Sequence, residues 1–134
     1  QERFFRLVKR PDRQFIYQED FHLFLEVILH HHPDKDLEGI EHNATYQYYY
    51  LVTVITRIFY ALNLNCNHDG KITKRQICRS NLLDKFHTIS SENSVSNDIE
   101  FFSYKHFQVL YQNFRRLDVE KKGYLTRRDL CSYS

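Results

Sequence analysis

Asn65-Cys66-Asn67-His68-Asp69-Gly70-Lys71-Ile72-Thr73-Lys74-Arg75-Gln76 is the stretch on which the fold turns. Oxygen-bearing side chains stand at its first, third and fifth positions, Gly70 at the sixth and the aliphatic Ile72 at the eighth. That is the layout of a calcium-binding loop between two helices. Alternate oxygens converge on one ion as the chain curls, and glycine permits the sharp turn. The aliphatic residue makes a short β-bridge with a partner loop. Upstream, Leu51, Val54, Ile55, Ile58, Phe59 and Leu62 recur at spacings of three and four, the mark of a helix with one apolar face. Downstream, Ile77, Leu82 and Phe86 predict one further helix running from Thr73.

A second copy of the pattern follows at Asp118-Val119-Glu120-Lys121-Lys122-Gly123-Tyr124-Leu125-Thr126-Arg127-Arg128-Asp129. It too has glycine at six and an aliphatic residue at eight. Its entering helix is the stripe Phe107, Leu110, Tyr111, Phe114 and Leu117. A lone degenerate loop is weak evidence, but two in one register define an EF-hand architecture. The expected fold class is therefore all-α, built of paired EF-hand-like helix–loop–helix units with short β-bridges between their loops.

EF-hand loops pair, so each needs a partner. Residues 15–21 and 101–107 read as the rear halves of ligand-free units, which pairs Ile16 with Ile72 and Phe102 with Leu125. Ser103 is the expected N-cap of the helix reaching Leu117. A first apolar stripe, Phe21, Phe24, Leu25, Ile28 and Leu29, ends at His32-Pro33. Residues 34–46 and 88–98 break the helical period and are expected as loops. The implied division is a first pair over 1–87, a surface loop over 88–98 and a second pair over 99–134 whose last helix is cut short.

Calcium takes six to eight oxygens, usually with a bidentate Glu at position twelve. The first loop offers Asn65, Asn67, Asp69, the Lys71 carbonyl and Gln76, with Asp69 the one formal charge among them. It is expected to be a weak calcium site or a purely structural loop. In the second, Asp118, Glu120 and Asp129 are candidate ligands, but Lys122 brings a cation to position five, and this loop is expected to be empty. His30-His31-His32 is no zinc site, because consecutive helical residues point ~100° apart. They suit the negative end of a helix dipole.

The net charge of +2 implies no strongly charged partner. Arg3, Arg6, Lys9, Arg10 and Arg13 read as the solvated flank of a helix rather than a nucleic-acid or lipid patch. No apolar run approaches the ~18 residues of a membrane span. Three cysteines without a C-x-x-C pair fit a reducing compartment, and a chain opening on Gln1 without methionine reads as a piece of a longer protein. No nucleophile elbow, P-loop, zincin motif or glycine-rich phosphate cradle is present, so no catalytic residue is assigned.

The strings Phe15-Ile16-Tyr17-Gln18-Glu19-Asp20-Phe21, Arg57-Ile58-Phe59-Tyr60 and Phe102-Ser103-Tyr104-Lys105-His106-Phe107 resemble the B″ regulatory subunits of protein phosphatase 2A. The Leu117-Asp118 loop and the His32-Pro33 helix end fit the same pattern, in order, over most of residues 14–130. The resemblance implies a non-catalytic subunit that binds the scaffold and catalytic subunits and directs them to phosphoprotein substrates. The resemblance also implies calcium tuning where the loops are intact, a pattern from which Gln76 and Lys122 depart, and the expected location is cytoplasmic, with nuclear or centrosomal sites open. Phe4, Phe5 and Leu7 are the candidate scaffold-docking residues, because this apolar run lies outside the EF-hand units; on pattern alone, packing onto the first helix pair fits it equally well. Two other readings stay open: a calcium sensor or buffer, and a structural EF-hand domain of an unrelated protein. The absence of methionine disfavours the adaptable groove a sensor exposes.

Overall fold

A computed structural model describes residues 1–30, 43–62, 70–91 and 102–133. Helices take most of these. They are α1 (Glu2–Val8), α2 (Gln18–His30), α3 (Ala44–Leu62), α4 (Lys74–Arg79), α5 (Leu82–Ser91), α6 (Tyr104–Leu117) and α7 (Arg127–Cys131). Two short strands, β1 (Ile16–Tyr17) and β2 (Lys71–Ile72), pair antiparallel.

Each stripe read from the sequence turns one face inward. Phe21 and Leu25 of α2 meet Leu51, Val54, Ile55, Ile58 and Phe59 of α3, and all are buried. Each such side chain stabilises the fold by about 1.5–3 kcal/mol when fully removed from water. The bridge expected between Ile16 and Ile72 is present, with Tyr17 opposite Lys71. Both isoleucines are fully buried, so the bridge lies within the core. The expected partner bridge, Phe102 with Leu125, is absent among the described residues. Phe102 instead packs on Phe86 and accepts a 2.7 Å hydrogen bond at its carbonyl from the buried Tyr50 hydroxyl. That bond ties the start of α6 to α3 across the core.

The helix expected from Thr73 to Phe86 is two helices. Ser80 stops α4 with extended backbone, its hydroxyl donates to the Ile77 carbonyl, and α5 starts afresh at Leu82. A serine hydroxyl that competes for backbone partners favours such a break. The loop expected over 88–98 also begins late, since α5 continues through Ser91. The helical period set by Leu82 and Phe86 outweighs the few tenths of a kcal/mol that each serine costs in a helix. Likewise, α3 starts at Ala44, inside the loop expected over 34–46, with the Asn43 side chain accepting from the Tyr46 amide. His31, His32 and residues 92–98 lie outside the described residues.

At the N-terminal helix, packing wins over docking. Phe5 and Val8 of α1 are buried in the core. Phe4 enters an aromatic cluster with Phe21, Phe24 and Phe86, at centroid distances of 6.3, 5.2 and 5.5 Å. Of the three proposed docking residues only Leu7 faces solvent. Phe4 and Phe5 are held inward because their ring surface is worth more inside the helix pair than on it. The Glu2–Lys74 pair, 2.7 Å long, fastens α1 to α4.

Candidate functional site

The two loops share their framework. Gly70 and Gly123 both take positive φ, at 69° and 82°, where a side chain would be strained. Each loop ends in the same helix start. Thr73 caps α4 and accepts from the Gln76 amide, while Gln76 Oε1 accepts from the Thr73 amide at 2.7 Å. Thr126 and Asp129 repeat the exchange at α7, again at 2.7 Å. This reciprocal capping box satisfies two donors that a helix start leaves without partners. Its signature, Thr-x-x-Gln and Thr-x-x-Asp, stands in the sequence at positions nine and twelve of the two loops.

Of the first candidate site, Asn65, Asn67 and Asp69 lie outside the described residues. Lys71 is in β2, and its ammonium sits 4.6 Å from the Phe15 ring centroid. Gln76 turns its oxygen to the cap and its amide nitrogen to the Leu62 carbonyl, 3.3 Å away at the end of the entering helix. It thus joins the two helices of the unit directly, as a neutral crosslink.

The second loop is described in full. Asp118 closes α6, and its carboxylate accepts from the Lys122 and Gly123 amides at 2.9 and 2.7 Å. Lys121 takes φ 56°, an unusual backbone for a residue with a side chain, at a cost of about 1 kcal/mol. The turn brings Lys122 inward. Its Nζ stands 3.3 Å from Asp118, 3.5 Å from Glu120 and 3.3 Å from Asp129. The three sequence-predicted carboxylates are therefore brought together, and an ammonium stands among them.

The titration of each group follows from this arrangement. Burial opposes charge on Asp118, but the Gly123 and Lys122 amides and the Lys122 ammonium outweigh it and hold its carboxyl below the usual 3.8. Asp129 is held below 3.8 chiefly by the Thr126 hydroxyl and amide, then by Lys122. Burial likewise works against the Lys122 charge, and hydrogen bonds to Asp118 and Asp129 override it, raising Lys122 above 10.5. These residues do not fit a divalent cation while Lys122 points inward. Position five supplies a positive charge where an oxygen is needed, and the loop as a whole carries four basic against three acidic side chains.

The fold and the loop geometry define a helix–loop–helix protein of the EF-hand kind. An EF-hand domain family matches residues 1–92, and the chain belongs to that family. It is 34% identical over 130 residues to the probable B″delta regulatory subunit of serine/threonine protein phosphatase 2A from Arabidopsis thaliana, covering 97% of this chain and 24% of that protein. It is 33% identical to the alpha form of the human B″ regulatory subunit of the same phosphatase, covering 98% of this chain and 11% of the other. Among solved structures, a chain of a PP2A PR70 holoenzyme superposes with a TM-score of 0.90 at 32% identity. That match covers 98% of this chain and 48% of the other. The resemblance read from the aromatic strings is thus borne out along nearly the whole chain, which spans a quarter or less of these curated relatives.

Proposed function

We propose that this chain is the EF-hand region of a B″-type regulatory subunit of protein phosphatase 2A. In this reading it is non-catalytic, binds the scaffold and catalytic subunits and directs the enzyme to particular phosphoproteins. The observation that carries the reading is the TM-score of 0.90 at 32% identity to a holoenzyme chain, over 98% of the residues here. Similarity so extensive runs through both loops and the helices between them, well beyond a shared helix–loop–helix unit. Exposed aliphatic side chains, among them Leu7, Leu23, Val52 and Leu110, supply the apolar contact area such docking requires. Any calcium response belongs to the 65–76 loop, and a reducing, cytoplasmic setting suits the free thiols of Cys78 and Cys131.

Affinity purification of the tagged protein from cell lysate tests this. The scaffold and catalytic subunits should co-purify in comparable amounts, and the purified protein alone should hydrolyse no phosphopeptide. A folded protein, by circular dichroism, that captures neither of the two overturns the assignment.

A further inference from the structure

We infer that the Lys122 ammonium is the resident cation of the 118–129 loop, so that the second helix–loop–helix unit keeps its shape without metal and is indifferent to calcium. Asp118, Glu120 and Asp129 occupy positions one, three and twelve, and they converge on one point as metal ligands would. That point is Nζ of Lys122, at 3.3, 3.5 and 3.3 Å. A calcium ion in such a loop joins its first half to its last. Here the ammonium makes that connection, linking Asp118 at the end of α6 to Asp129 at the start of α7.

Three further observations agree. The Lys122 side chain is only 17% exposed, whereas its neighbour Lys121 is open to solvent. A lysine drawn in so far is held there by its partners, since a free one keeps its ammonium in water. Two of the three carboxylates are also engaged elsewhere. Asp118 accepts two backbone amides, and Asp129 accepts the Thr126 amide and hydroxyl. Calcium would have to evict the ammonium and would then find no oxygen at position five. Finally, the exposed Lys121, Arg127 and Arg128 surround the loop with positive charge, which repels a divalent ion.

The test uses the whole chain carrying Asp69→Ala, which silences the first loop. Tyr124 places a ring centroid 6.0 Å from Nζ, near enough to sensitise terbium luminescence if Tb³⁺ takes the site. With Lys122 present, no saturable terbium emission that calcium displaces is expected. Lys122→Asp restores an oxygen at position five and should gain such emission, with affinity at least ~10-fold above the parent. Saturating calcium should then raise its melting temperature by roughly 3 °C while leaving the parent unmoved. Lys122→Asn serves the same purpose if Lys122→Asp does not fold. In calcium-free buffer Lys122→Met should melt lower than the parent, and Lys122→Arg should not. Equal terbium affinity with and without Lys122 overturns the inference. So does a Lys122→Met protein as stable as the parent.

Discussion

Two loops written in one pattern are held together by opposite means. In the first unit, position eight is Ile72, fully buried in the bridge to Ile16, and position thirteen is Ile77, also fully buried. In the second, the same positions are Leu125, half-buried and outside any ladder, and Leu130, 56% exposed. No residue of α7 is buried. What the second unit lacks in apolar contact it replaces with the charge cluster on Lys122 and the amides gathered by Asp118. The pattern specifies a turn and two caps. Whether hydrophobic burial or ion pairing then holds that turn depends on what the rest of the molecule offers against it.

The contrast can be broken most sharply at position thirteen. Ile77→Ala leaves a cavity in the core and should cost ~2–4 kcal/mol, read from the urea midpoint, whereas Leu130→Ala should cost under ~0.5 kcal/mol. Similar losses at both would mean that α7 packs on the core after all. The caps should show no such difference. Thr73→Ala and Thr126→Ala should each cost ~1 kcal/mol by the same measurement, because a capping box is local to its helix.

The smallest expected effect is that of pH, since these groups titrate outside the neutral range. Asp118 and Asp129 titrate below 3.8, so their contribution is whole above that value and fades as pH falls below it. Lys122 titrates above 10.5, so its share persists below that value and is lost as pH climbs past it. Amide protection factors in residues 118–129, referenced to intrinsic exchange at each pH, should therefore fall at both extremes and stay flat between roughly pH 5 and 9. Lys122→Met should abolish the alkaline limb. An alkaline limb that survives would mean that the ammonium does not hold the loop.

Much of this was legible in the chain. The apolar stripes of α2, α3 and α6 repeat at three and four residues, and burial rewards that period wherever a helix meets a core, so their inward faces were predictable. Ser103 was readable as a cap, and its hydroxyl accepts from the His106 amide. The Ile16–Ile72 bridge followed from the position-eight rule. The Phe102–Leu125 pairing failed because the rule supposes that each loop has a free strand beside it. Here the Phe102 carbonyl is engaged by a tyrosine 52 residues away in sequence. The aromatic contacts could not be read from spacing. Tyr46, Tyr50, Tyr104, Phe107 and Tyr111 pack edge to face on one another between α3 and α6. Burial pushes the Tyr46 hydroxyl up to about 12, with Tyr104 and Tyr111 adding to the shift.

By itself, the sequence determined what depends on neighbours a few residues apart: the glycine turns, the caps and the faces of the longer helices. Those are set by backbone sterics and local hydrogen bonds, which act wherever the segment is placed. The tertiary structure alone decided that Phe4 and Phe5 turn inward and that Lys122 folds back into its own loop. A lysine at position five can extend into water or turn toward carboxylates. The choice rests on whether those carboxylates have been brought within reach from both ends of the loop, a matter of where α6 and α7 lie.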